Sequence, residues 1–279
     1  MNIFKRHGKT AEDFFINNHI ELNEKIGDSK ISDYEGKNIH ILKKIKDLFK
    51  CRKISEHLLL VKTKPQKRNW IMNKLLDLQY AIYKLDTYGE NNWIIREADL
   101  KYIWSDIYSK LKPFSSSDIN IISHINDIKV YQEIETGLRS NYLPTKIPID
   151  EFYYMKTCDV RLARALISNL SPSPYPEKLN LFWGYYDLVS EIFDDLIDIN
   201  EDSFNFNCNR LLIKMSSEGN KRTWDEYINY LNYIKFNLCK FSNNLGAKYL
   251  VFEDIIEWAI KRIHENELLL ESVMKTKEC

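Results

Sequence analysis

Residues 187–202 read DLVSEIFDDLIDINED, and where the acids fall in this stretch decides how the chain is read. At about 100° per residue, Asp187, Glu191, Asp194, Asp195, Asp198, Glu201 and Asp202 lie within an arc of roughly 120° of a helix. Leu188, Val189, Ile192, Phe193, Leu196, Ile197 and Ile199 take the remaining circumference. A helix apolar over most of its girth is expected to be buried. Its acids then cannot all face bulk water, and like charges three and four residues apart repel one another. No lysine or arginine stands between Asp187 and Asp202 to neutralise them. Carboxylate oxygens suit hard divalent cations, so magnesium bridging to a phosphate group is the expectation. An exposed acidic stripe on a surface helix is the plainer alternative. Gly184, one turn upstream, leaves room on the same face for a ligand or for helix packing.

Outward from this stretch, the chain reads as helices. All seven prolines fall between segments of helical periodicity, where a missing N–H and a clash with the preceding turn do no harm. Gly27, Gly89, Gly137, Gly219 and Gly246 stand where the patterns fade, as C-terminal caps do. The periodicity predicts helices over 10–26, 38–62, 66–88, 96–111, 117–137, 149–169, 177–203, 223–245 and 250–274. No alternating run suggests a strand. The expected fold is all-α: a single-domain bundle over residues 36–279, preceded by a looser segment over 1–35.

The bulk composition narrows the function classes. With 44% hydrophobic and 29% charged residues the chain is globular in character. Lys plus Arg and Asp plus Glu both total 40, and this balance argues against a dedicated nucleic-acid binder. Cys51, Cys158, Cys208, Cys239 and Cys279 are scattered without a CxxC pair, which reads as free thiols in a reducing compartment. Met1–Gly8 is polar and no apolar run of signal-peptide or membrane-spanning length follows, so a cytoplasmic protein is expected.

The acidic stretch resembles the second metal motif of the class I isoprenoid (terpene) synthases. It is most similar to the squalene/phytoene synthase branch and the large-terpene cyclases related to it. The resemblance rests on Asp194-Asp195 followed by Asp198-Ile199-Asn200-Glu201-Asp202, with acids at steps of four, and covers about residues 66–270. It implies a bundle around a central apolar cavity, with a first acidic motif on an earlier helix. Tyr83-Lys84-Leu85-Asp86-Thr87-Tyr88-Gly89-Glu90 is the best match, with Asp86 and Glu90 on one face and fewer aspartates than the family shows. The resemblance further implies that Asp194, Asp195, Asp198, Glu201 and Asp202, with Asp86 and Glu90 across the cavity, bind Mg2+ or Mn2+. Arg161 and Arg164, in a segment that resembles the cavity helix before the second motif, would hold diphosphate; Arg210, Lys214, Lys221 and Arg222, beyond the second motif, are weaker candidates to close over it. Tyr154, Phe182, Tyr186 and Phe193 would wall the hydrocarbon pocket.

The activity so implied is Mg2+-dependent ionisation of an allylic prenyl diphosphate, with Asp194, Asp198 and Arg161 as the catalytic set, followed by cyclisation. Prenyl transfer or head-to-head condensation uses the same metal site, and a helical binding protein with a degenerate first motif stays open beside both. The short lysine-rich runs at 43–46 and 62–68 read as solvated faces or as peripheral contacts with anionic lipid, and a homodimer is compatible with the reading. No P-loop, GxGxxG, HExxH or GxSxG motif occurs, and the six histidines show no zinc-ligand spacing.

Overall fold

The computed structural model describes residues 34–61, 64–92, 94–114, 121–138, 144–171, 175–203, 207–242 and 250–276. Among them there is no strand. The elements in order are α1 (Tyr34–Cys51), α2 (Ile54–Leu60), α3 (Pro65–Asn91), α4 (Glu97–Leu111), α5 (Ile121–Gly137), α6 (Ile149–Lys156), α7 (Cys158–Asn169), α8 (Glu177–Ile197), α9 (Ile199–Asp202), α10 (Arg210–Glu218), α11 (Asn220–Ser242) and α12 (Leu250–Thr276). The protein is all-α, as its periodicity requires. The expected helix over 10–26 and nearly all of the expected loose segment over 1–35 lie outside the described residues.

The acid-bearing helix α8 is buried as its apolar girth predicts. Phe182, Trp183, Val189 and Ile192 are fully shielded from solvent, and Tyr186 and Leu196 nearly so. The helix packs most extensively on α12 and also meets α6, α10 and α11. Its long apolar surface needs that many neighbours.

Three expected long helices are each broken once. The span 38–62 splits after Cys51, where Lys53 takes a left-handed conformation (φ 55°). A non-glycine residue there is strained by about 1 kcal/mol or more. The break turns Arg52 fully into the interior. It also frees two carbonyls that find donors: Tyr186 Oη donates to the Cys51 carbonyl (2.5 Å) and Arg164 Nη2 to the Arg52 carbonyl (2.6 Å). The span 149–169 breaks at Thr157 and 177–203 at Asp198, each a single residue displaced from helical geometry while the i→i+4 bonds continue across it.

One helix was not expected at all. α10 opens on Asn209, whose side-chain oxygen accepts from Leu212 N (3.0 Å), and closes on Gly219 at φ 85°. That positive φ is tolerated because glycine has no Cβ.

Candidate functional site

The acids of α8 and α9 are met by side chains from other elements. Asp187 is clasped by Arg164 of α7. Arg52 Nη2 bridges Glu191 Oε1 (2.8 Å) and Asp194 Oδ2 (2.7 Å), while its Nη1 donates to the Asp187 carbonyl (2.7 Å). Lys156, at the end of α6, pairs with Asp195 and reaches Glu191 at 3.9 Å. Tyr153 Oη also donates to Asp195 (2.7 Å). Asn207 and Asn209 each donate to Asp202 at 2.8 Å. Among the described residues, Asp198 and Glu201 make no side-chain hydrogen bond or ion pair, and Asp198 is exposed.

The absence of lysine and arginine between Asp187 and Asp202 therefore does not leave the stripe to a divalent cation alone. Arg52, Lys156 and Arg164 neutralise it from 23 to 142 residues away in the sequence, beyond any local pattern on the helix itself.

A second group of acids faces this network across a cavity of about 170 Å3. Its carboxylates come from four helices: Asp86 and Glu90 of α3, Glu135 of α5, Asp159 of α7 and Glu191 of α8. Lys156 is the lysine of the lining, and Ile82, Leu85, Ile128 and Tyr131 supply apolar wall. The fold thus brings Asp86 and Glu90 to the same space as Glu191. Glu90 also lies close enough to Glu201 and Asp202 to be repelled by them. Lys44 of α1 stands at this rim and is drawn to Tyr83, Glu201 and Glu90.

So many carboxylates cannot share a desolvated space and all stay charged. Burial, followed by Glu90, lifts Glu135 to about 7. Burial lifts Glu191 to about 8 against the pull of Arg52 and Lys156. Asp86 is pushed well above the aspartate range by burial and then by Glu135 and Asp159. Further along the stripe, outside the lining of this cavity, Asp198 rises to about 6 through burial and its neighbours Asp202, Asp194 and Glu201. Lys156, despite its burial, is held above the usual lysine range by Asp195 and Glu191. Such a donor set suits a hard divalent cation by its oxygen chemistry, the ion displacing the protons that burial holds on the carboxyls. Among the described residues, no three His, Cys, Asp or Glu side chains already converge as a ligand set.

The expected diphosphate-holding arginines are elsewhere. Asp159 and Arg161 are two residues apart, roughly 160° around the helix, so Arg161 faces away from the carboxylate cavity. It pairs with Asp127 (3.0 Å) and lies 3.6 Å from the Tyr154 ring centroid. Arg164 is committed to Asp187, to the Arg52 carbonyl and to His57. Arg210 and Lys214 are both paired with Glu226, and Lys221 and Arg222 are exposed at the start of α11.

Nor do the four expected wall residues line this cavity. Phe182 packs edge-on against Phe241, Tyr186 holds the α1–α2 break, Phe193 lies under the Arg262 guanidinium (4.0 Å) and Tyr154 lines a different groove. Each aromatic answers to core packing or to a cation first.

No family model, no curated protein and no solved structure matches this chain. The site must speak for itself. Glu135 and Arg52 were not singled out in the sequence, although Glu135 had a signal: Ile128, Tyr131 and Glu135 share one helical stripe, so an acid ends an apolar face. Arg52 had none, because the helix break that buries it falls inside a continuous helical pattern.

Proposed function

We propose that the chain is a Mg2+-dependent enzyme that ionises an allylic prenyl diphosphate, acting at the carboxylate cavity between α3, α5, α7 and α8. The observation that carries this reading is the convergence of Asp86 and Glu90 with Glu191, residues more than one hundred positions apart, on a cavity that holds more carboxylates than cations. Asp86, Glu90, Glu135 and Glu191 would hold the ion within the cavity, and Asp194, Asp198, Glu201 and Asp202 further along the stripe. Mg2+, or Mn2+, when bound supplies the Lewis acid that makes diphosphate a better leaving group.

The chain's own residues do the rest. Arg52 fixes Glu191 and Asp194 relative to each other. Lys156 Nζ and, at the rim, Lys44 Nζ are the cations placed to meet a departing diphosphate. Ile82, Leu85, Ile128 and Tyr131 keep water from the reacting carbon. Cyclisation and transfer to a second prenyl group both begin with this ionisation. The cavity lies below the roughly 300–1,000 Å3 of typical ligand sites, so the reading requires it to widen around the tail.

One observation favours a second reading, a helical protein without this chemistry. Arg52 and Lys156 already neutralise Glu191, Asp194 and Asp195, as a purely structural network would. Incubation with geranyl, farnesyl and geranylgeranyl diphosphates, with Mg2+ or Mn2+, separates the two. Metal-dependent release of inorganic diphosphate, lost in Asp86→Asn, supports the enzyme. No release from any of them supports the structural network.

A further inference from the structure

The face of α7 turned away from the carboxylates forms a second, larger cavity of about 670 Å3, within the range of small-molecule sites. It runs between α7 and α8, which lie antiparallel: Arg164 meets Asp187 at one level and Ser168 meets Asn180 (3.3 Å) at another. From Arg161 to Asn169 the groove is roughly 12 Å long. Two small residues open it. Ala165 offers only a methyl group, and a Cβ added at Gly184 would meet no atom within 4 Å. Leu181, Tyr185 and Leu188 make its sides apolar.

One end of the groove is polar and unfinished. Arg161 spends Nε on the Tyr154 carbonyl (3.1 Å) and Thr157 Oγ1 (3.3 Å), and Nη1 on Asp127 (3.0 Å). Its Nη2 is buried without a hydrogen-bond partner, although the guanidinium lies over the Tyr154 ring, and so is Nδ1 of His124, which lines the same cavity. Burial and the adjacent Arg161 cation hold the His124 ring below the usual imidazole range, so it is neutral near pH 7. A buried polar atom left unpaired costs about 1–3 kcal/mol. Arg161 is already balanced by Asp127 and Arg164 by Asp187, and the other two charges of the lining, the exposed Glu177 and Lys178, are of opposite sign, so the groove has no surplus charge to attract an ionic head group.

We propose that this groove binds a small neutral amphiphile with a terminal hydroxyl. The hydroxyl oxygen accepts from Arg161 Nη2 and its hydrogen is donated to His124 Nδ1, while the apolar chain lies over Gly184 and Ala165. A hydroxyl satisfies both atoms at once, whereas a carboxylate would accept from Arg161 but face the Asp127 charge and the His124 lone pair.

The test is ligand-observed NMR and calorimetric titration of the full chain with octan-1-ol and, separately, octanoate, without metal or diphosphate. Saturable binding of octan-1-ol at one per chain is expected, with octanoate weaker by about tenfold or more. Gly184→Leu should abolish binding with an unchanged circular-dichroism spectrum, since the added side chain enters open space. His124→Phe should weaken it about tenfold. Absent saturation by octan-1-ol, equal or tighter binding of octanoate, or binding undiminished in a folded Gly184→Leu variant would each overturn the proposal. None of these results depends on the carboxylate cavity, whose reading is tested with diphosphate and metal.

Discussion

Arg164 holds Asp187 through both carboxylate oxygens, with Nε 2.5 Å from Oδ2 and Nη2 2.6 Å from Oδ1. The guanidinium also lies 4.2 Å from the centroid of the Trp183 ring, one turn before Asp187 on the same helix. Both side chains are almost wholly shielded, so neither charge has water to fall back on. Breaking such a pair from one side costs about 3–5 kcal/mol, whereas removing both charges costs much less. Asp187→Asn and Arg164→Met should each lower the urea midpoint strongly. The double variant should lose less than the sum, with a coupling of about 1–3 kcal/mol. Additive losses would mean that the two groups act separately.

Arg52 makes a related demand, because it serves two acids. Without it, Asp194 would lose its cation and the buried Glu191 would keep only Lys156, at 3.9 Å. Arg52→Met should therefore destabilise the chain by about 3–5 kcal/mol at pH 8. The loss should shrink at pH 5, where Glu191, lifted to about 8, carries its proton and needs no cation. Urea denaturation at the two pH values checks this. An equal loss at both would assign the effect to packing.

The contrast between what the sequence disclosed and what it hid follows from range. The α8 stripe was legible because its period is local: seven acids within sixteen residues place themselves on one side, and their apolar neighbours bury the helix. Asp86 and Glu90 were reached through the resemblance, which asked for acids sharing one face of an earlier helix. Arg52 was not, since a single left-handed residue at Lys53 decides whether it points inward. The breaks at Thr157 and Asp198 were hidden because one displaced residue leaves the periodicity intact. Arg161 was assigned from the resemblance of its segment to a cavity helix, but it stands two steps from the cavity-lining Asp159, and two steps along a helix change the face.

Glu135 gives the pH dependence its sign. Its carboxyl is raised in the folded chain to about 7 from an ordinary value of 4.5. A raised acid favours the fold while it is protonated, and that advantage disappears as pH rises through the folded value. Glu135→Gln keeps a neutral side chain throughout. It should match its parent in stability near pH 4.5 and exceed it above pH 7.5, by of order 2 kcal/mol. Comparing the two proteins at each pH cancels the histidines, which titrate alike in both. A constant difference across the range would show that Glu135 stays ionised.

Gly184 occupies the middle of α8 at a helical position that does not require glycine, with open space where a methyl group would go. Alanine is the better helix former by about 0.8–1 kcal/mol. Gly184→Ala should raise the melting temperature by a few degrees. A drop would show that the backbone there needs a freedom the helix does not display.

Asp198 separates chemistry from architecture more cleanly than any other acid at the site. It is exposed at the break between α8 and α9, and its side chain makes no hydrogen bond or ion pair among the described residues. Burial and then its neighbours Asp202, Asp194 and Glu201 raise its carboxyl to about 6, so at pH 8 it carries a charge those neighbours oppose. Removing that charge relieves repulsion, and Asp198→Ala should leave the urea midpoint unchanged or slightly raised at pH 8. The same change should abolish metal-dependent diphosphate release, because it deletes an unpaired carboxylate of the proposed metal site. Asp202→Ala is the contrasting variant: it strands donors on Asn207 and Asn209 and should lower stability by about 1–3 kcal/mol. If Asp198→Ala unfolded the metal-free chain as readily, the acids at this end of α8 would be part of the scaffold, and the proposed site would lose its rim.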